Sequence, residues 1–103
     1  MFRLYVIQLD AAVRQSGKFR RANPAGGDEC LYVGHTAKAP AERLAQHRAG
    51  IFSQGRWVQR FGAGGLRTDL APDVAYATRQ EAVEAEARLA AELRKRGFSV
   101  WSR

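Results

Sequence analysis

The stretch from Thr78 to Arg96 constrains this chain more than any other. Ala82, Ala85, Leu89 and Leu93 recur at steps of three and four residues, the period of one face of an α-helix. Thr78-Arg79-Gln80-Glu81 opens the stretch as a capping box, in which a hydroxyl and a carboxylate satisfy amides that the first turn leaves unbonded. Gly97 stops it. Glu81, Glu84, Arg88, Glu92 and Lys95 fall on the other side, at spacings that allow pairs such as Glu84 with Arg88 in water. A helix with one apolar stripe needs an apolar surface to lie on.

Two runs of the chain can build that surface. Residues 2 to 9 are mostly apolar, with the β-formers Tyr5, Val6 and Ile7 in the middle, and Cys30-Leu31-Tyr32-Val33 is a second short run halted by Gly34. Antiparallel pairing is the simplest topology for such neighbours. Between them, residues 10 to 28 pass through Lys18-Phe19-Arg20-Arg21 and Pro24-Ala25-Gly26-Gly27, and are expected to form a long, mobile hairpin loop. Pro40 suits the first turn of a helix running from Ala41 to Ala49 and closed by Gly50, which sets Arg43 and His47 four residues apart on one face. Residues 51 to 61, with Phe52, Trp57, Val58 and Phe61, suit a second short helix before the glycine run 62–65. A third strand comes from Leu66 to Leu70 or from Asp73 to Ala77, the latter favoured by its place just before the last helix. Phe98-Ser99-Val100-Trp101 is a terminal strand or a tail packed on the core. The 103 residues, 46% hydrophobic and 26% charged, suit one globular α+β domain over residues 1–103.

Seventeen Lys and Arg against ten Asp and Glu give a formal net charge of +7, and fourteen of the seventeen are Arg. The planar guanidinium binds phosphate oxygens in pairs and stacks on bases, so the expected partner is nucleic acid, DNA ahead of RNA. The bland alternative is a basic surface set by background composition. The single cysteine, Cys30, rules out an intramolecular disulfide or a multi-cysteine zinc site and reads as a small buried apolar residue. The N-terminus lacks the pattern of a signal peptide, and no apolar run approaches the roughly 20 residues of a membrane span. A cytoplasmic protein with no membrane partner is expected.

One carboxylate is out of place. Glu86 lies inside the apolar stripe of the last helix. Burying it costs several kcal/mol, roughly, unless an arginine or a cation meets it. Three readings stay open: a divalent metal bound by Glu86, an internal ion pair with Arg43, or a side chain at the edge of the stripe that reaches water.

Tyr32-Val33-Gly34-His35-Thr36 resembles the second half of the GIY-YIG nuclease motif, and Leu4-Tyr5-Val6 the first half, whose glycine is absent here. Glu42-Arg43-Leu44-Ala45-Gln46-His47 is similar to the helix that carries that family's essential arginine and its histidine. Glu81-Ala82-Val83-Glu84-Ala85-Glu86 is similar to the start of the helix that carries its metal-binding glutamate, and the match falls on Glu86. The ordered set spans nearly the whole chain, with residues 10 to 28 as the main insertion. The resemblance implies a small sheet of three antiparallel strands flanked by helices, and hydrolysis of nucleic-acid phosphodiesters with one Mg²⁺ or Mn²⁺, in DNA repair, recombination or processing. It implies that Glu86 holds the metal, that Arg43 stabilises charge growing on the phosphate, and that Tyr5 or Tyr32 orients or deprotonates the attacking water, a task for which a phenol near pKa 10 needs help. His47 would assist proton transfer or bind phosphate. Gly34, His35, Thr36 and Lys38 are the expected contacts to nucleic acid, with Arg20, Arg21, Arg48, Arg56 and Arg60 as further phosphate ligands and Phe19 as a stacking residue.

Two other readings compete. One is a catalytically inactive nucleic-acid-binding module on the same fold, with strong salt dependence and no metal requirement. The other is a protein-interaction domain, with Phe52, Trp57 and Trp101 as contact aromatics. A partner protein or a homodimer fits either.

Overall fold

The computed structural model describes residues 1–49, 56–61 and 64–102; the side chains of His47, Arg56, Trp57 and Gln59 are outside the described set. Strand β1 (Arg3–Leu9) and strand β2 (Cys30–Thr36) run antiparallel with Tyr5 opposite Gly34 and Ile7 opposite Tyr32. Every residue of β2 is buried, as are Leu4 to Ile7 of β1. Both strands are therefore covered on two faces, which is why they read as continuous apolar runs without alternation.

The sheet has four strands and is mixed, in the order β3-β1-β2-β4, where an all-antiparallel sheet of three was expected. Strand β4 (Ser99–Trp101) lies parallel to β2, with Val100 beside Leu31. Its direction follows from helix α4 (Arg79–Lys95), which crosses one face of the sheet and returns the chain to run the same way as β2. Gly97, at φ +97°, makes the turn out of the helix in a conformation that side-chain-bearing residues rarely adopt.

The third strand is not the favoured segment 73–77. Strand β3 is only Gly65–Leu66, paired with Ile7 and Gln8, and Tyr76 makes a single bridge to Phe2, donating to and accepting from it at 2.7 Å. After Arg67 donates to the Val6 carbonyl the chain leaves the ladder through a turn, and Pro72, which has no N–H, cannot extend it.

Residues 10 to 28 are also more ordered than a mobile loop. Asp10 caps a 3-10 turn, Ala11–Gln15, and Ser16 caps helix α1 (Gly17–Ala22), its hydroxyl accepting from the Phe19 amide. The two pieces fold because each hides one apolar residue, Val13 and Phe19, under the sheet. Helix α2 (Pro40–Arg48) forms as its proline start predicts, and helix α3 (Arg56–Phe61) falls within the second helical segment. Phe52 and Gly50 lie outside the described residues.

The core is split by the sheet. On one face Tyr5, Ile7, Leu9, Cys30 and Tyr32 pack with Val13, Phe19 and Val58 under the 3-10 turn, α1, α2 and α3. On the other, Val6, Leu31, Val33 and Val100 pack with Ala90 and Leu93 of α4. Among the described residues no helix is long and apolar enough to cross a membrane.

Candidate functional site

Past Tyr32 strand β4 has ended, so among the described residues no strand lies against the outer edge of β2 from Val33 to Thr36. There the two helical layers meet around a cleft of about 160 Å³. Tyr5, Tyr32 and Gly34 enter it from the sheet, His35, Thr36 and Lys38 from the end of β2 and the loop that follows, and Arg43 from α2. Seven of the nine expected site residues thus line one cleft. Phe2 and Arg79 line it as well.

On the α2 side, the Tyr5 and Tyr32 rings stack with centroids 6.3 Å apart. The Tyr5 hydroxyl hydrogen-bonds with the Arg43 guanidinium and the Tyr32 hydroxyl. Burial pushes the Tyr5 phenol up from its ordinary range, and the neighbouring Glu86 charge adds to the rise, while Arg43 works against it. The phenol therefore keeps its proton at neutral pH and is suited to donating a hydrogen bond, not to removing a proton from water.

Gly34 has a reason in the fold itself. It faces Tyr5 across the strand pair, and a Cβ on it would fall on the Tyr5 ring and hydroxyl. The glycine lets an aromatic from the opposite strand lie flat across it. The close approach it permits is that of Tyr5.

On the α4 side, Glu86 is 4% exposed, as its place in the stripe requires. Its partner is His35, not Arg43: Oε2 lies 2.6 Å from Nδ1 of His35, itself 8% exposed. Thr36 Oγ1 accepts from the Lys38 amide at 2.9 Å and shapes the turn that brings Lys38 to the cleft. The Phe2 ring meets His35 edge-on at 6.2 Å and lies 5.3 Å beneath the Arg79 guanidinium.

Phe2 and Arg79 are what the sequence reading missed, although both had a signal. Arg79, Ala82 and Glu86 are spaced at i, i+3 and i+7, one face over two turns. Phe2 is a diagonal neighbour of His35 in the antiparallel register. The side chain of His47, four residues beyond Arg43 on α2, lies outside the described set.

Glu86 sits behind His35, and no Asp or Glu lines the cleft itself. Among the described residues no three His, Cys, Asp or Glu side chains cluster. That donor chemistry does not suit a caged ion such as a structural zinc or calcium. The one carboxylate near the cleft among the described residues is Glu86, behind His35, so a hydrated hard cation would have a single protein carboxylate to take there. Compared with models of protein families, with curated proteins and with solved structures, the chain matches none.

Proposed function

We propose that this protein is a divalent-metal-dependent phosphodiesterase acting on nucleic acid. The observation that carries the reading is the convergence of Tyr5, Tyr32, Arg43 and Lys38 on one cleft, with the buried Glu86 directly behind His35. Three cations, Arg43, Lys38 and Arg79, and two phenols around a small polar concavity are complementary to a phosphate group.

Each residue has a task under this reading. Arg43 is fixed against Tyr5 and would stabilise negative charge as it grows on the phosphate, without reorganising during the reaction. Tyr5, protonated, donates toward the same charge. Lys38 offers a mobile point charge at the rim, and Gly34 keeps the Tyr5 ring in place. Mg²⁺ or Mn²⁺ held by Glu86 would polarise the phosphate and lower the pKa of a bound water. His35 fixes the orientation of the Glu86 carboxylate through its 2.6 Å contact.

The test is cleavage of labelled single- and double-stranded DNA and RNA under Mg²⁺ and Mn²⁺ titration, with wild type beside Arg43→Ala and Glu86→Gln. Glu86→Gln is preferred to Glu86→Ala because it keeps the size of the side chain and its capacity to hydrogen-bond His35. Metal-dependent cleavage is expected in wild type, reduced about 10²-fold or more in Arg43→Ala and lost in Glu86→Gln. Full cleavage by Glu86→Gln, or cleavage unaffected by a chelator, overturns the reading. One observation favours a module that binds without turnover: Oε2 of Glu86 is already held by His35. That reading gives salt-dependent binding at every metal concentration and no cleavage.

A further inference from the structure

The charge of this chain is not shared between its two faces. The 3-10 turn and helices α1, α2 and α3, which cover the Tyr5 face, hold eight basic residues and one acidic, a formal +7. Helix α4, which covers the other face, holds four basic and four acidic residues and is neutral. The remaining segments hold five of each sign. The whole net charge of the molecule therefore lies in one helical layer. A chain made basic merely by its composition would spread the excess over both layers.

Six of those eight cations face outward. Arg14, Lys18, Arg20, Arg21, Arg48 and Arg60 are all exposed. Several are held in place by their charged ends: the Lys18 ammonium lies 5.2 Å over the Trp101 ring, the Arg60 guanidinium lies 5.2 Å over Phe61, and Arg20 donates at 2.9 Å to the carbonyls of Arg14 and Gln15. The layer is continuous with the cleft, since Arg43 of α2 lines it.

We propose that the layer formed by the 3-10 turn, α1, α2 and α3 is a nucleic-acid docking face that holds phosphates of the strand well outside the cleft. The inference rests on the phosphodiesterase reading of that cleft and extends it to the path of the substrate. Helix α1 packs at the Cys30 end of the sheet, where Asn23 accepts from the Val100 amide, and its Lys18 lies over Trp101, the strand partner of Tyr32 in the cleft wall. The seven residues of β2 at about 3.3 Å each put roughly 20 Å between the two ends. At about 3.4 Å per nucleotide along a strand, that is about six nucleotides. A strand of about six nucleotides or more therefore spans the cleft and the α1 end together.

The experiment is equilibrium binding by fluorescence anisotropy in chelator, as a function of salt, with oligonucleotides of about six and about twenty nucleotides. The double variant Lys18→Gln, Arg21→Gln neutralises α1, Arg48→Gln with Arg60→Gln neutralises α2 and α3, and Arg88→Gln with Lys95→Gln neutralises the opposite layer. Either pair in the basic layer is expected to lower the salt slope for the longer oligonucleotide by roughly 1.5 and weaken binding about tenfold or more at low salt. The α4 pair should leave both unchanged, and the α1 pair should weaken binding of the six-nucleotide oligomer less than that of the longer one. Two independent pairs in the layer keep the test decisive if one destabilises its helix. Equal loss in the α4 pair, no loss in the basic-layer pairs, or binding to anionic vesicles but not to oligonucleotides overturns the docking face. A difference in slope with no cleavage by any form sinks the phosphodiesterase reading and leaves the docking face standing. Cleavage with no difference in slope does the reverse.

Discussion

Gly34 and Tyr5 depend on each other more closely than any other pair of residues at the cleft. Because a Cβ at Gly34 would overlap the Tyr5 ring, Gly34→Ala must push that ring off its stack with Tyr32 and away from Arg43. The expected cost is about 1–3 kcal/mol, as for other overpacked cores. Urea denaturation measures it, and an unchanged midpoint would show that the ring moves freely. Tyr5 also sets an alkaline limit. Its folded pKa is raised, first by burial, so the fold favours the protonated phenol, and the stability this gives is complete below the unfolded value near 10. It is lost as pH rises through the folded value. Cys30, also raised by burial, acts in the same sense from a lower starting point. In a Cys30→Ala background the urea midpoint should therefore fall above about pH 10, and adding Tyr5→Phe should flatten that fall.

At the scale of elements, the three-residue strand β4 is too short to hold its place by ladder bonds alone. It is fixed by Asn23, from the end of α1, whose Oδ1 accepts from the Val100 amide at 2.6 Å and from Arg94 Nε at 3.1 Å, while its Nδ2 donates to the Phe19 carbonyl at 2.9 Å. Arg94 in turn donates to the Val100 carbonyl at 2.8 Å. This one amide joins α1, α4 and β4, and burial of the Arg94 guanidinium, which lowers its pKa, raises the cost of leaving it unmet. Asn23→Ala is expected to cost about 1–3 kcal/mol and to expose the β4 amides first. Hydrogen exchange should show early loss of protection at Val100 and Trp101, and uniform exchange across the sheet would contradict this role. The insertion between β1 and β2 is thus a structural brace as well as the carrier of four of the eight cations of the basic layer.

On the scale of the whole molecule, a neutral layer and a basic layer sandwich one sheet, and the cleft opens where the sheet's short outer strand runs out. The amphipathic stripe, the helix caps at Thr78 and Pro40 and the two central strands were legible in the sequence because period and cap chemistry are local properties. So was the place of Glu86 inside the stripe, which depends only on its neighbours along the chain; that it is buried was decided by the packing. What met Glu86 was not legible. Arg43 is the arginine that charge alone suggests, but the register of β1 on β2 turns His35 toward α4 and keeps Arg43 with Tyr5 on the opposite side. The direction of β4, the two-residue length of β3 and the folding of residues 10–28 were likewise set by long-range partners, in the crossover of α4, the single bridge of Tyr76 to Phe2, and the shelter the sheet gives Val13 and Phe19. Composition by itself fixed a net charge of +7; only the packing of four helical pieces on one face and one helix on the other decided that this charge has a side. Charge adds along a chain regardless of order, whereas a surface exists only once distant segments share a face.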